Sequence, residues 1–230
     1  MPQFSPPHLA ALAVMVLGVA FSVYAPRRRP GQWTTWFARA LAFAIFAAWA
    51  GEYVADVIQG IWTTRFTLPL QLTDVVSLTS IAALLTRRPQ LVELSYFWAF
   101  TATLQAVLTP DLAYNFPSVF YFTYFGYHVG AILAAAFLVY GLEIYPRPGA
   151  VWRVWAATLG WAVVAGAGDL ITGGNYMYLA WKPAHGSLLS VLGPWPWYIA
   201  AAALVGLAML WIVAGITAVL SRGRPAAQMV

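Results

Sequence analysis

Residues 68–85 read LPLQLTDVVSLTSIAALL, an apolar run that is interrupted near its start by the polar side chains of Gln71 and Asp74. Further along the chain, Gln105 and His128 stand inside two other runs of the same apolar kind. Polar and ionisable groups are costly in the hydrocarbon of a bilayer, so they usually face partners or a watery cavity. We therefore interpret residues 68–128 as the centre of a membrane bundle and its functional site.

The composition supports this interpretation over the whole chain. Of the 230 residues, 62% are hydrophobic and only 8% are charged, whereas soluble domains carry about 25% charged residues. We expect one all-α domain that covers residues 1–230. The sequence has no cysteine, which excludes disulfides, thiolate metal sites and cysteine nucleophiles.

Seven apolar segments have about the length that a bilayer of roughly 30 Å requires, which is near 20 helical residues. The N-terminus has no basic region before the first segment, so we expect a retained helix there and no cleaved signal peptide. The predicted spans are approximately 9–25, 36–58, 68–85, 91–108, 118–142, 151–171 and 197–220.

The basic residues predict the orientation of this seven-helix bundle. Only Arg65 and Lys182 fall on one side of it. Basic residues in short loops mark the cytoplasmic side, so we expect the N-terminus outside, the C-terminus in the cytoplasm and a multi-pass protein of the cell membrane. The charge is then topological and indicates no nucleic-acid partner. The residues on the other side are Arg27, Arg28, Arg29, Arg39, Arg87, Arg88, Arg147, Arg153, Arg222 and Arg224.

The acidic residues have the opposite bias, with only Glu93 and Glu143 on the cytoplasmic side. We infer a polar cavity that opens outward, with His128 at its floor near the middle of the bilayer. The outer acidic residues are Glu52, Asp56, Asp74, Asp111 and Asp169.

Two pairs of residues within this cavity carry candidate chemistry. Glu52 and Asp56 are four residues apart and project from one helix face, as do Gln71 and Asp74 at a spacing of three. His128 is the expected general base, with Asp74 orienting it. A solvated helix end for the acidic pair and a purely structural histidine are the alternatives.

No cofactor or metal is expected. Metal sites need several convergent ligands, and the sequence places a single histidine within a span, although Glu52, Asp56, Asp74 and His128 leave a carboxylate-rich metal site open as an alternative. Lys182, the only lysine, lies in a predicted outer loop, which excludes a retinal pigment. We expect that loop, residues 173–198, to fold over the cavity, with Asn175 and Tyr178 as substrate contacts beside Gln71 and Gln105.

The motif Leu68-Pro69-Leu70-Gln71-Leu72-Thr73-Asp74 resembles the Leu-Pro-Leu-His-Leu-Cys-Asp motif of the YwaF-like family of bacterial integral membrane proteins. The resemblance extends in order along nearly the whole chain. Further matching stretches are Tyr96-Phe97-Trp98, residues 104–111, Phe116-Pro117-Ser118, His128, Asn175-Tyr176-Met177-Tyr178-Leu179 and residues 193–198.

That family is distantly similar to eukaryotic transmembrane protein 164, and the resemblance implies acyl transfer onto phospholipids through a cysteine. This chain has Gln71 and Thr73 where the motif has histidine and cysteine. Acyl transfer here would therefore need direct attack by the acceptor hydroxyl, with His128 as base, or a weak nucleophile such as Thr73 or Ser77.

The function that we expect is the processing of membrane lipids or acyl chains in an outward-facing cavity, with phospholipids as partners. Two alternatives from other classes stay open. One is a transporter of a small cationic or zwitterionic solute that is held by Glu52, Asp56 and Asp74. The other is a receptor-like bundle without turnover, an analogy that rests on the helix count alone.

Overall fold

The described part of this computed structural model, residues 1–183 and 187–221, contains seven apolar helices and no strand. Prolines begin two of them, where the missing amide hydrogen has no cost, at Pro6 and Pro89. The helices are α1 (Pro6–Arg28), α2 (Trp33–Ile58), α3 (Leu72–Thr86), α4 (Pro89–Leu108), α5 (Val119–Gly141), α6 (Ala150–Thr172) and α7 (Trp197–Leu220).

Six of these helices are long and apolar enough to cross a membrane, and α3, with 15 residues, is shorter. The all-α class is thus confirmed. The number of spans and the orientation stay predictions, and Arg222 and Arg224 lie outside the described residues.

The start of α3 differs from the prediction. Residues 68–71 were expected to be helical, but the helix begins at Leu72, because Gln71 has an extended backbone and serves as the N-cap. The amide of Gln71 donates to Asp74 Oδ2 at 3.0 Å, which fixes the first turn. The polar residues at this point therefore end the loop and begin the helix.

α5 is the centre of the bundle and is buried along most of its length. It lies against α2 at close range, since a Cβ on Gly130 would stand 2.6 Å from Ile45 Cγ1. α6 and α7 pack on the outside of the bundle and are mostly exposed, as helices that face lipid should be.

The arginine-rich end of the bundle has one buried ion cluster. Glu93, which is 2% exposed, accepts from Arg147 at 2.8 Å and from Arg153 at 2.9 Å. This joins α4 to the loop before α6 and to α6 itself. Arg65 lies elsewhere, stacked on the ring of Trp181 at 5.8 Å. The segment of residues 173–183, which we call the strap, marks that other end.

Candidate functional site

A cavity of about 90 Å³ lies between α2, α3, α5 and the loop that precedes α3. It has room for a few water molecules. We call residues 64–71 of that loop the roof segment, because Phe66, Thr67, Leu68 and Gln71 form one wall of the cavity. The full lining is Trp49, Glu52, Tyr53, Asp56, Phe66, Thr67, Leu68, Gln71, Thr73, Asp74 and Tyr127.

Asp74 is the best-connected polar group of this cavity and is 7% exposed. Its Oδ1 accepts hydrogen bonds from Trp49 Nε1 at 3.0 Å and from the Tyr53 hydroxyl at 2.8 Å. Its Oδ2 accepts from the Gln71 amide at 3.0 Å. Three donors hold the carboxylate in one position, so Asp74 joins α2 to the beginning of α3.

Glu52 and Asp56 line the same cavity, as their spacing predicted. Glu52 Oε2 is buried and makes no hydrogen bond in the described structure. The hydroxyls of Thr123 and Tyr127 are the donors nearest to its carboxylate. Glu52 is therefore a buried carboxylate of the cavity with one unpaired oxygen, which is available to a proton or a ligand.

Thr73 lines the cavity at the position where the resembling motif has its cysteine. Ser77, the other candidate nucleophile, does not line it. Its hydroxyl, one helical turn on, donates to the carbonyl of Thr73 at 2.9 Å. Of the two hydroxyls, only that of Thr73 is placed to meet a reactant in this cavity.

His128 is buried at 2% exposure and does not line the cavity. Its Nδ1 lies 2.7 Å from the carbonyl oxygen of Tyr124, so Nδ1 is the donor and a neutral ring keeps Nε2 as an acceptor. No hydrogen bond joins His128 to Asp74, and the expected pair of base and orienting acid is not formed in the described residues.

Three other residues that were predicted to contact a substrate, Gln105, Asn175 and Tyr178, also lie outside the cavity lining. Gln105 is exposed and donates to Thr109, the residue that follows α4, at 2.8 Å. Asn175 organises the strap, since its Oδ1 accepts from the amides of Ala180 and Trp181.

Tyr178 donates to Asp111 Oδ2 at 2.9 Å and ties the strap to the loop between α4 and α5. Burial and the negative charge of Asp111 raise the pKa of the Tyr178 hydroxyl. The hydroxyl thus stays protonated and holds this connection in neutral solution.

The aromatic residues of the cavity were not predicted. Trp49 and Tyr53 lie on the same face of α2 as Glu52 and Asp56, at helical spacings of three and four. That periodicity was visible in the sequence and extended the acidic pair to a four-residue face. Tyr127 and the roof segment had no comparable signal, because they reach the cavity from other elements.

The lining of the cavity is acidic and aromatic. Among the residues that the structure describes, it contains three carboxylates and four aromatic side chains, and no lysine, arginine or histidine. No group of three or more histidine or acidic residues in the described chain is arranged to hold a metal ion. The polar side chains of the lining are carboxylates, two threonine hydroxyls, one glutamine amide, two phenols and an indole.

The six long apolar helices around a partly polar cavity define a multi-pass membrane protein. The family model of the TMEM164 family matches residues 3–214, and the chain belongs to that family. No curated protein and no solved structure matches this chain. The narrower likeness to the YwaF-like bacterial proteins stays a prediction.

Proposed function

We propose that this protein processes membrane lipids by transferring an acyl chain at the cavity between α2 and α3, on the outer side of the cell membrane. The observation that carries the proposal is that Thr73 and Glu52 line one cavity. The resemblance of residues 68–74 to the YwaF-like motif, in which Thr73 stands at the position of the cysteine, supports it as an inference from sequence alone.

In the proposed reaction, Thr73 Oγ attacks the ester carbonyl of a donor lipid and its proton passes to Glu52. The bond from the carbonyl carbon to the donor's alkoxy oxygen breaks, and that oxygen takes the proton as the lysolipid leaves. The acceptor hydroxyl then attacks the threonine ester, again giving its proton to Glu52, and the new ester leaves as Thr73 regains its proton.

The size of the cavity limits what enters it. About 90 Å³ holds an ester group but not acyl chains. The chains would lie along the lipid-facing surface beside the cavity, where Phe46 and Phe66 are 49% and 62% exposed. Membrane lipids are thus the proposed partners, and no cofactor takes part.

The sequence-based version of this proposal has His128 as the base and Asp74 as its partner. Its geometry is less favourable, because His128 faces Tyr124 and lies outside the cavity lining. The two versions can be distinguished by mutation. The reaction depends on Glu52 if Glu52 is the base, and on His128 if His128 is the base.

The test is mass spectrometry of liposomes that contain the purified protein with diacyl and lyso phospholipids. New acyl combinations are expected with the natural protein and not with Thr73→Ala. Gln105→Ala is the matched control, since its exposed side chain lies outside the cavity. Unchanged lipid composition with folded natural protein would refute acyl transfer.

A second candidate function has an observation of its own. Carboxylates combined with the rings of Trp49, Tyr53, Phe66 and Tyr127 form the kind of lining that holds organic ammonium groups. We propose binding and transport of a small organic cation as this alternative. Saturable binding of tetramethylammonium, lost in Glu52→Gln, would favour it, and absence of binding and of uptake into proteoliposomes would exclude that probe as a ligand.

A further inference from the structure

The strap at residues 173–183 is joined to the wall of the cavity and not merely placed above it. Tyr176, which is fully buried, donates from its hydroxyl to the carbonyl of Thr64 at 2.7 Å and accepts from the amide of Leu68 at 2.9 Å. One side chain thus holds the roof segment at two points, at its beginning and in the wall of the cavity.

A second connection reaches the cavity itself. The amide of Met177 donates to Gln71 Oε1 at 2.8 Å, and the amide of Gln71 donates to Asp74 Oδ2 at 3.0 Å. A continuous line of hydrogen bonds therefore runs from the strap through Gln71 to the most buried carboxylate of the cavity. Asp169 supports this line from α6, because its Oδ1 accepts from the Tyr176 amide at 2.6 Å.

The strap has the backbone of a segment that is held in place by its contacts. Met177 and Tyr178 both have φ of 56°, in the left-handed region that side chains other than glycine rarely adopt. Such a conformation persists only where the surroundings impose it. Here the surroundings are the bonds to the roof segment, to Asp111 and to Asp169.

Besides these bonds, the roof segment is held by a local turn, in which the amides of Phe66 and Thr67 donate to the carbonyl of Thr63, and by Trp161 of α6, which donates to the carbonyl of Leu70 at 3.1 Å. It contains no helix, and Arg65 and Phe66 are exposed. The cavity of about 90 Å³ is also too small for a lipid ester with its flanking chains. A wall of the cavity must move to admit more than an ester group, and the roof segment is the part of the wall that is not in a helix.

We propose that the strap is the closing device of this cavity: Tyr176 and Met177 hold the roof segment closed and position Asp74 through Gln71, and release of the strap opens the site. Tyr176 is thus a positioning residue. The inference concerns the cavity of the proposed function, but it does not depend on which reaction or ligand that cavity serves.

The absence of cysteine from the sequence makes a direct test possible. Thr73→Cys places one thiol in the cavity lining, and its rate of labelling by a small water-soluble maleimide reports how often the cavity opens. Tyr176→Phe removes two hydrogen bonds to the roof segment and keeps the ring. We expect labelling to accelerate about tenfold, which is the change expected from the loss of two such bonds.

Tyr121→Phe is the matched control, because the Tyr121 hydroxyl also donates to a main-chain carbonyl, that of Pro7 at 2.7 Å, but makes no bond to the roof segment or the strap. Its labelling rate should equal that of the Thr73→Cys parent. Equal rates in all three proteins, each shown to be folded by gel filtration and thermal unfolding, would overturn the proposal.

A second variant releases the strap by another route. A Cβ on Gly174 would stand 2.5 Å from the carbonyl oxygen of Arg65, so Gly174→Ala pushes the strap away from the roof segment. Gly160→Ala is its control, since a Cβ there meets nothing within 4 Å. Faster labelling in Gly174→Ala alone supports the closing device, and unchanged labelling in a folded Gly174→Ala refutes it. Neither result depends on lipid turnover.

Discussion

The indole of Trp49 donates a hydrogen bond of 3.0 Å to Asp74 Oδ1 and so joins the C-terminal half of α2 to the first turn of α3. Tyr53, one turn further along α2, donates to the same oxygen at 2.8 Å. A carboxylate that receives several donors in a low-dielectric setting is both a structural connection and a fixed negative charge. The cavity is built around this connection.

Replacing Asp74 should therefore cost stability before it affects any chemistry. In Asp74→Ala, three donors lose their acceptor, and we expect the free energy of unfolding to fall by about 3 kcal/mol. This is less than three times the cost of one buried, unpaired donor, because water in the cavity can reach some of the three. Thermal or denaturant unfolding in detergent measures this change.

Asp56→Ala is the comparison for that experiment. Asp56 lines the cavity but is only half-buried, and its carboxylate makes no hydrogen bond that the described structure records. A change within about 0.5 kcal/mol is expected. Equal losses in both variants would show that Asp74 does not connect the two helices.

The ion cluster at the arginine-rich end gives a second prediction. Glu93→Ala removes the acceptor of Arg147 and Arg153 from a site where the glutamate side chain is 3% exposed. The arginines are 28% and 44% exposed and partly rehydrate, so we expect a loss of about 2 kcal/mol, less than for a fully buried pair. The unfolding midpoint in detergent reports it.

Glu143→Ala tests the same idea at the surface. Its carboxylate lies 3.8 Å from Arg27 Nε, with both side chains about one-third exposed. Exposed pairs contribute roughly 0–1 kcal/mol, so this variant should unfold close to the natural protein. A Glu143→Ala that is less stable than Glu93→Ala would contradict the ranking.

The contact between Tyr178 and Asp111 predicts a dependence on alkaline pH. Burial first, and then Asp111, raise the pKa of the Tyr178 hydroxyl above its ordinary value. The folded state therefore favours the neutral phenol. The stability that this gives is complete below about pH 10, where unfolded tyrosine is also neutral, and it is lost as the pH rises above that value.

Tyr178→Phe should accordingly lose less stability than the natural protein between about pH 10 and pH 12, because phenylalanine has no proton to release. Unfolding midpoints at several pH values give the slope of stability against pH for each of the two proteins. Identical slopes would mean that the Tyr178 hydroxyl is not protected by its surroundings.

Much of this architecture follows from hydrophobic length alone. The six long helices were predicted within a few residues at each end, because a bilayer demands about 20 apolar residues and prolines mark the boundaries. α3 was predicted too long, since Leu68–Gln71 are apolar enough to extend a span. Its true start depends on Gln71 and Asp74 as a capping pair, a local signal that hydropathy does not register.

The site was predictable only where neighbours in space are neighbours in sequence. Glu52 and Asp56 share a helix face, and Gln71 and Asp74 share a helix turn, so spacing brought each pair together. His128 was grouped with them because depth in the membrane was taken as proximity. Tyr127, its neighbour in α5, lines the cavity instead, because successive residues of a helix point about 100° apart around its axis.

Tyr176 illustrates the remaining gap. It is fully buried and organises the roof segment, yet within the loop that was expected to cover the cavity only Asn175 and Tyr178 were predicted as contacts. Its partners lie 108 and 112 residues away in the sequence. Contacts of that separation depend on the assembled bundle and have no local pattern.

The measurement that tests the central claim most directly is the rate of acyl transfer between phospholipids in liposomes for Glu52→Gln and His128→Gln, each beside the natural protein. Glu52→Gln should lose at least about a hundredfold, the usual contribution of a general base. His128→Gln should keep most of the activity. The reverse pattern, with Glu52→Gln active and His128→Gln inactive, would contradict the assignment of the reaction to the cavity between α2 and α3.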